Sequence, residues 1–258
     1  MRVLRLGNSE DRSPGIADSD RAWYIAGIVL AEACGESVET VVRPISPTRE
    51  LPDLLDKWLD EYQPDLVLLK VTWYWYSYES VPRRIERLLG RSGKPIARAG
   101  TRAGESPRFA TKRWFKLCRR AAHRIIGGDT PFPSSQVLEV MEECIRRVKA
   151  RENVALLVKG TGGNRYDEET LAGYYQRFVN RREHVEGTIE KFCRDADVPY
   201  VNTKKAGVTS RAELAASDGL HTDLAGQERM GLKEGEQMVS AWRAFNRRAL
   251  PVEAAGGR

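Results

Sequence analysis

The chain has 258 residues, 41% of them hydrophobic and 30% charged, with a formal net charge of +6. That length can bury a sizeable core, and that balance excludes a disordered polymer, which lacks the apolar content to collapse. No apolar run is long enough to span a bilayer, and the basic start before Gly7 leads into too few apolar residues for a signal peptide, so the expected setting is cytoplasmic.

The first predicted element is a short strand over 3–6, followed at once by Gly7-Asn8-Ser9. Residues 20–34 carry Trp23, Ile25, Ala26, Val29, Leu30 and Ala33 at helical spacing, and Gly35 ends that helix. A strand is expected over 38–42. An amphipathic helix follows over 51–62, with Leu51, Leu54, Leu55, Trp58 and Leu59 on one face. Pro64-Asp65 breaks the chain before 66–71, an apolar run that suits a strand covered on both faces. The next helix is expected over 81–89. From 91 to 133 the rhythm is lost: Gly, Pro and basic residues dominate, Glu105 and Asp129 are the only acids, and only 112–126 looks helical. Then come a helix over 134–150, a strand over 154–158, a long helix over 171–195, a short strand over 198–202 and a final helix over 223–250. The tail, 251–258, looks frayed.

Strands alternating with helices predict an α/β fold with a central parallel sheet of about five strands, covered on both sides and joined by right-handed crossovers. The expected organisation is a single domain over 1–250 with a basic insertion at about 91–133. In such sheets ligands bind at the carboxyl ends of the strands. Ser9 follows the first strand, 73–78 follows the third, and His221 lies between the last strand and the last helix. Three distant segments are therefore expected at one edge.

Cys34, Cys118, Cys144 and Cys193 are scattered through helical stretches with no C-x-x-C pair, and are expected to be buried thiols. Three histidines, His123, His184 and His221, are too few for a histidine-rich metal site, so no metal is expected.

Two short blocks carry chemistry. In Gly7-Asn8-Ser9 a serine just past a strand can raise its hydroxyl at the sheet edge, although alone it reads as a loop serine or a helix cap. In Ser217-Asp218-Gly219-Leu220-His221 an Asp three residues before a His can reach one ring nitrogen and leave the other free as a base. Alone that block reads as an Asx-turn with an exposed histidine. Taken together they change the reading, because the chain resembles the SGNH hydrolases, the GDSL-type esterase and lipase family. Val3-Leu4-Arg5-Leu6-Gly7-Asn8-Ser9 is close to that family's first block, 18–30 looks like the helix after it, and Pro64-Asp65-Leu66-Val67-Leu68-Leu69 looks like its third strand. The most specific match is Asp218-Gly219-Leu220-His221-Thr222-Asp223-Leu224-Ala225-Gly226-Gln227.

The resemblance implies a flavodoxin-like three-layer sandwich and hydrolysis of a small-molecule ester without metal or cofactor. It implies Ser9 as nucleophile, His221 as base and later acid, Asp218 as the group orienting His221, and the Ser9 N–H as an oxyanion donor. Two blocks depart from the family pattern. Pro44, which has no N–H, stands where the family offers a glycine N–H, and Tyr74 stands where it offers an asparagine amide. The remaining oxyanion candidates are the Asn8 side chain and a hydroxyl from Thr72 or Tyr74. Trp73, Trp75 and Tyr76, with Tyr74 and Tyr78, read equally as core packing or as a platform for a sugar, acyl chain or aromatic group. The basic insertion reads as a solvated surface, or as a lid or binding surface for an anionic ligand such as phosphate, CoA or nucleic acid. No nucleic-acid fold motif accompanies it, so a nucleic-acid partner is not expected. Lys159-Gly160-Thr161-Gly162-Gly163 is Gly-rich but lacks P-loop spacing. The departures leave a second reading open, a binding protein that kept the fold without efficient chemistry.

Overall fold

The computed structural model describes residues 1–8, 11, 15–105, 112–160, 174–202 and 222–249. Among these residues five strands form one parallel sheet: β1 (Arg2–Gly7), β2 (Glu39–Pro44), β3 (Leu66–Lys70), β4 (Ala155–Lys159) and β5 (Tyr200–Val201). Their order is β2-β1-β3-β4-β5, all neighbours parallel, which is the flavodoxin-like winding. The helices are α1 (Ala22–Cys34), α2 (Leu51–Tyr62), α3 (Val81–Leu89), α4 (Lys94–Glu105), α5 (Arg113–Ile126), α6 (Ser134–Lys149), α7 (Tyr175–Asp195) and α8 (Leu224–Ala249).

Side chains alternate across the strands, so each face of the sheet takes every second residue. Leu4, Leu6, Val67, Leu69, Leu156 and Val158 pack with Leu55 of α2, Ile145 of α6 and Ile189 of α7. Val3, Leu66, Leu68, Ala155 and Leu157 pack on the other face with Ala26 and Leu30 of α1 and Met238 and Ala241 of α8. The two helices on that second face approach closely because α8 presents Gly231 and Gly235 to α1. A Cβ on Gly231 would stand 2.6 Å from the Ile25 Cβ, and one on Gly235 2.5 Å from the Val29 Cβ.

Between 91 and 133 the described residues contribute no strand to the sheet. Ser80 and Asp129 form an antiparallel bridge, with N–H···O distances of 2.9 and 3.2 Å, so α3, α4 and α5 make an arm rooted at those two residues. α4 lies where no regular structure was expected over 91–111. Its Pro95 sits in the first helical turn, where a missing N–H costs nothing. Among its described side chains only Ala97 is buried, so apolar periodicity had nothing to show.

All four cysteines are free. Cys144 and Cys193 are buried as expected, and burial pushes both thiols up to about 12. Two are corrections: Cys34, the last residue of α1, is half-buried, and Cys118 is exposed because α5 turns that side to solvent. Among the described residues no helix is long and apolar enough to cross a membrane.

Candidate active-site edge

Because every strand runs the same way, Gly7, Pro44, Lys70, Lys159 and Val201 end at one edge of the sheet. Asn8 and Thr72 leave β1 and β3 there and meet: the Asn8 Nδ2 donates to Thr72 Oγ1 at 2.9 Å. The Asn8 N–H donates to Asp11 Oδ2 at 3.0 Å, and the Asp11 N–H returns to the Asn8 carbonyl at 3.2 Å. This reciprocal pair pins the chain on either side of positions 9 and 10. Gly7 is required by the same close approach, because a Cβ there would collide with the Asp11 carboxylate. Ser9, Asp218 and His221 themselves lie outside the described residues.

Beneath this turn is an ionic cluster that sequence reasoning missed. Arg5, Lys70 and Lys159 project from β1, β3 and β4 toward α8, each following an apolar residue on the same face. The Arg5 Nε and Nη2 donate to Asp11 Oδ1 at 2.9 and 2.8 Å, and Lys70 Nζ donates to the same oxygen at 2.9 Å. Glu234 of α8 pairs with Arg5 and Lys159, with Lys70 at 3.8 Å. All five side chains are buried. Burial by itself would raise the Asp11 pKa, but the Arg5 guanidinium and the Lys70 ammonium outweigh it and hold the carboxyl well below the usual range. The sequence signal was a single basic residue near the carboxyl end of each of three apolar strands. Lys159, read beforehand as the start of a Gly-rich loop, is thus an internal counter-ion.

The residues just after His221 are fixed by their side chains. Asp223 caps α8, its Oδ1 accepting from the Gly226 N–H at 2.8 Å. Gln227 bridges two elements: its Nε2 donates to the Oγ1 of the buried Thr222 at 2.7 Å, and its Oε1 accepts the Ala22 N–H that opens α1 at 2.9 Å. The chain immediately after His221 is therefore tied to the start of α1, the first helix after β1.

The ring candidates divide. Trp75 and Tyr76 belong to the main core, 5% and 0% exposed, and so act as packing residues here rather than as an accessible platform. Trp73 is half-buried against Phe178 of α7, and Tyr74 is exposed and stacked on Tyr78. Pro44 pairs with Gly7 at the end of β2, and the next N–H, that of Ile45, donates to the Gly7 carbonyl at 3.0 Å. The second block thus offers no uncommitted N–H at Pro44 or Ile45.

A second polar centre joins the arm to the body. Glu79, buried, accepts from Arg177 at 3.1 Å and Arg181 at 2.7 Å, both on α7. The His123 Nε2 of α5 lies 3.2 Å from Oε2, the oxygen that also accepts from Arg177 Nη2, and the His123 ring stacks on Tyr174 with centroids 4.1 Å apart. Burial would raise the Glu79 pKa, but hydrogen bonding from His123 and Arg177 and the charges of Arg181 and Arg177 bring it down to about 2.

No protein-family model matches the chain, and no curated protein matches it significantly. Solved structures do. TesA is 16% identical at a TM-score of 0.56, with 94% of this chain and 99% of that one covered. The psychrotrophic esterase EstA from Pseudoalteromonas sp. is 13% identical at 0.55, covering 94% and 98%. A mutant form of Axe2, an acetyl-xylooligosaccharide esterase from Geobacillus, is 12% identical at 0.51, covering 93% and 95%. At such identities the likeness is one of fold, and it extends over nearly the whole length of each partner: the chain has the fold of the SGNH, GDSL-type hydrolases.

Proposed function

We propose that this chain is a serine-dependent hydrolase of small-molecule esters, with Ser9 as nucleophile, His221 as general base and Asp218 as the residue that orients His221. In this reading Ser9 attacks the ester carbonyl as His221 takes its proton. The tetrahedral oxyanion is held by the Ser9 N–H and by the Thr72 hydroxyl. Collapse expels the alcohol, which receives the proton from His221, and water then releases the acyl group by the same route. The observation that carries the reading is the Gln227 bridge, which ties Thr222, next to His221, to the N-terminus of α1. Asn8, next to Ser9, follows the end of β1 at the same edge. A single domain with its arm over 81–128 is the organisation that goes with it.

Thr72 is the better oxyanion candidate of the two hydroxyls. Its oxygen accepts from Asn8, which leaves its own proton to donate, whereas the Tyr74 ring is turned out against Tyr78.

The test is labelling by a fluorophosphonate probe together with turnover of short acyl esters. The wild type is expected to be labelled and active, Ser9→Ala to be neither while keeping its circular dichroism, and His221→Ala to fall nearly as far, since triad members act as a unit. Full turnover by Ser9→Ala would sink the assignment.

A second reading, a binding protein on the same fold, is favoured by one observation: Pro44 has no N–H and the Ile45 N–H is already engaged. An unlabelled and inert wild type that still binds ester analogues would select it.

A further inference from the structure

The arm over 81–128 concentrates charge. It holds fourteen Lys or Arg residues against Glu86 and Glu105, a formal +12 where the whole chain has +6, so the rest of the chain is net −6. It also concentrates exposed apolar surface. Of the twelve exposed large apolar residues among the described ones, six lie on it: Leu88, Leu89, Ile96, Trp114, Leu117 and Ile125. A solvated basic surface explains the first feature but not the second.

The two features are ordered on α5. Trp114, Leu117, Cys118, Ala121 and Ile125 follow one another at spacings of three, one, three and four, which puts them on one stripe of the helix. All five are exposed, Trp114 at 56%, Leu117 at 61% and Ile125 at 84%. Arg113 and Arg124, both exposed, flank the stripe on one side. The opposite face of α5 carries His123, buried against Glu79 and Tyr174, so the stripe points away from the body. An amphipathic helix with Trp, Leu and Ile on one side and arginines beside them has the composition of an element that lies in the plane of a membrane interface. Its charge complements an anionic leaflet. A nucleic acid would satisfy the arginines but would leave Leu117 and Ile125 in water.

We propose that this arm docks the protein on an anionic lipid surface, with Trp114, Leu117 and Ile125 immersed at the headgroup boundary and the arginines on lipid phosphates. This goes beyond the esterase reading, and binding is measured without turnover, so either can fail alone. The experiment is co-sedimentation of the full chain with phosphatidylcholine vesicles, with and without phosphatidylglycerol. Binding is expected only to the anionic vesicles and is expected to weaken with salt. Arg113→Gln with Arg124→Gln should weaken it about twenty-five-fold, at about fivefold per charge. Trp114→Ser with Leu117→Ser should weaken it by at least about tenfold, with circular dichroism as the check on folding. A fluorophore on Cys118, in a Cys34→Ser background, should shift to the blue on binding, which tests immersion without altering the stripe's apolar residues. Absence of binding to anionic vesicles overturns the proposal. So does binding that ignores the stripe substitutions with no shift at Cys118, because the contact is then electrostatic only. Tighter binding to single-stranded or duplex nucleic acid than to vesicles at equal ionic strength replaces it with a nucleic-acid surface.

Discussion

The Asn8 amide donates to the Thr72 hydroxyl at 2.9 Å, joining the ends of β1 and β3 across sixty-four residues of sequence. One contact thus fixes both the residue that follows β1 and the first residues after β3. Thr72→Val removes the acceptor of Asn8 and the hydroxyl proton together. In the proposed mechanism it should lower kcat on short esters by about a hundredfold, with a much smaller change in KM. Tyr74→Phe, which keeps the ring stacked on Tyr78, should cost less. Steady-state kinetics of the two variants decide it, and equal effects would remove Thr72 from the oxyanion site.

The Asp11 carboxylate is the acceptor for Arg5, Lys70 and the Asn8 N–H. Asp11→Asn keeps the shape and removes the charge, leaving buried cations short of a counter-ion. A loss of about 3–5 kcal/mol is expected in denaturant unfolding. Combining it with Lys70→Met should cost less than the sum of the two, since the partners share one network. Additive losses would show that the ions are not coupled.

Glu79 links acid stability to the arm. Its folded pKa of about 2 lies below the ordinary 4.5, so its contribution is complete above about pH 4.5 and is lost as pH falls toward 2. Glu79→Gln should therefore be less stable than wild type at neutral pH, by about 1–3 kcal/mol, and the difference should shrink through that acid window. Parallel pH profiles for the two proteins would contradict the sign.

At the α1–α8 seam, Gly231→Ala and Gly235→Ala place a methyl within 2.6 Å of Ile25 or 2.5 Å of Val29. Each should destabilise by about 1–3 kcal/mol through overpacking, against the helix-propensity gain of replacing glycine. Thermal unfolding that moves upward would show that the helices separate without cost.

Much of the sheet and its covering helices was legible in the sequence because it is written locally. The 51–62 helix declares itself by spacing and the 66–71 strand by its apolar run after Pro64-Asp65, and the resemblance at 218–227 singled out a block in which Asp223 caps α8 and Gln227 ties α8 to α1. What the sequence could not display were interactions between residues distant along the chain. Arg5, Lys70 and Lys159 look like ordinary strand-end charges until the parallel register puts them on one face, opposite Glu234. Nothing near Glu79 foretells that His123, Arg177 and Arg181 converge on it. α4 escaped notice because Ala97 alone among its described side chains is buried. Cys118 was read as buried because a helix's pattern shows that it has two faces without saying which one the protein covers. That choice belongs to tertiary packing: His123, held between Glu79 and Tyr174, turns one side of α5 inward and leaves Trp114, Leu117 and Ile125 facing out.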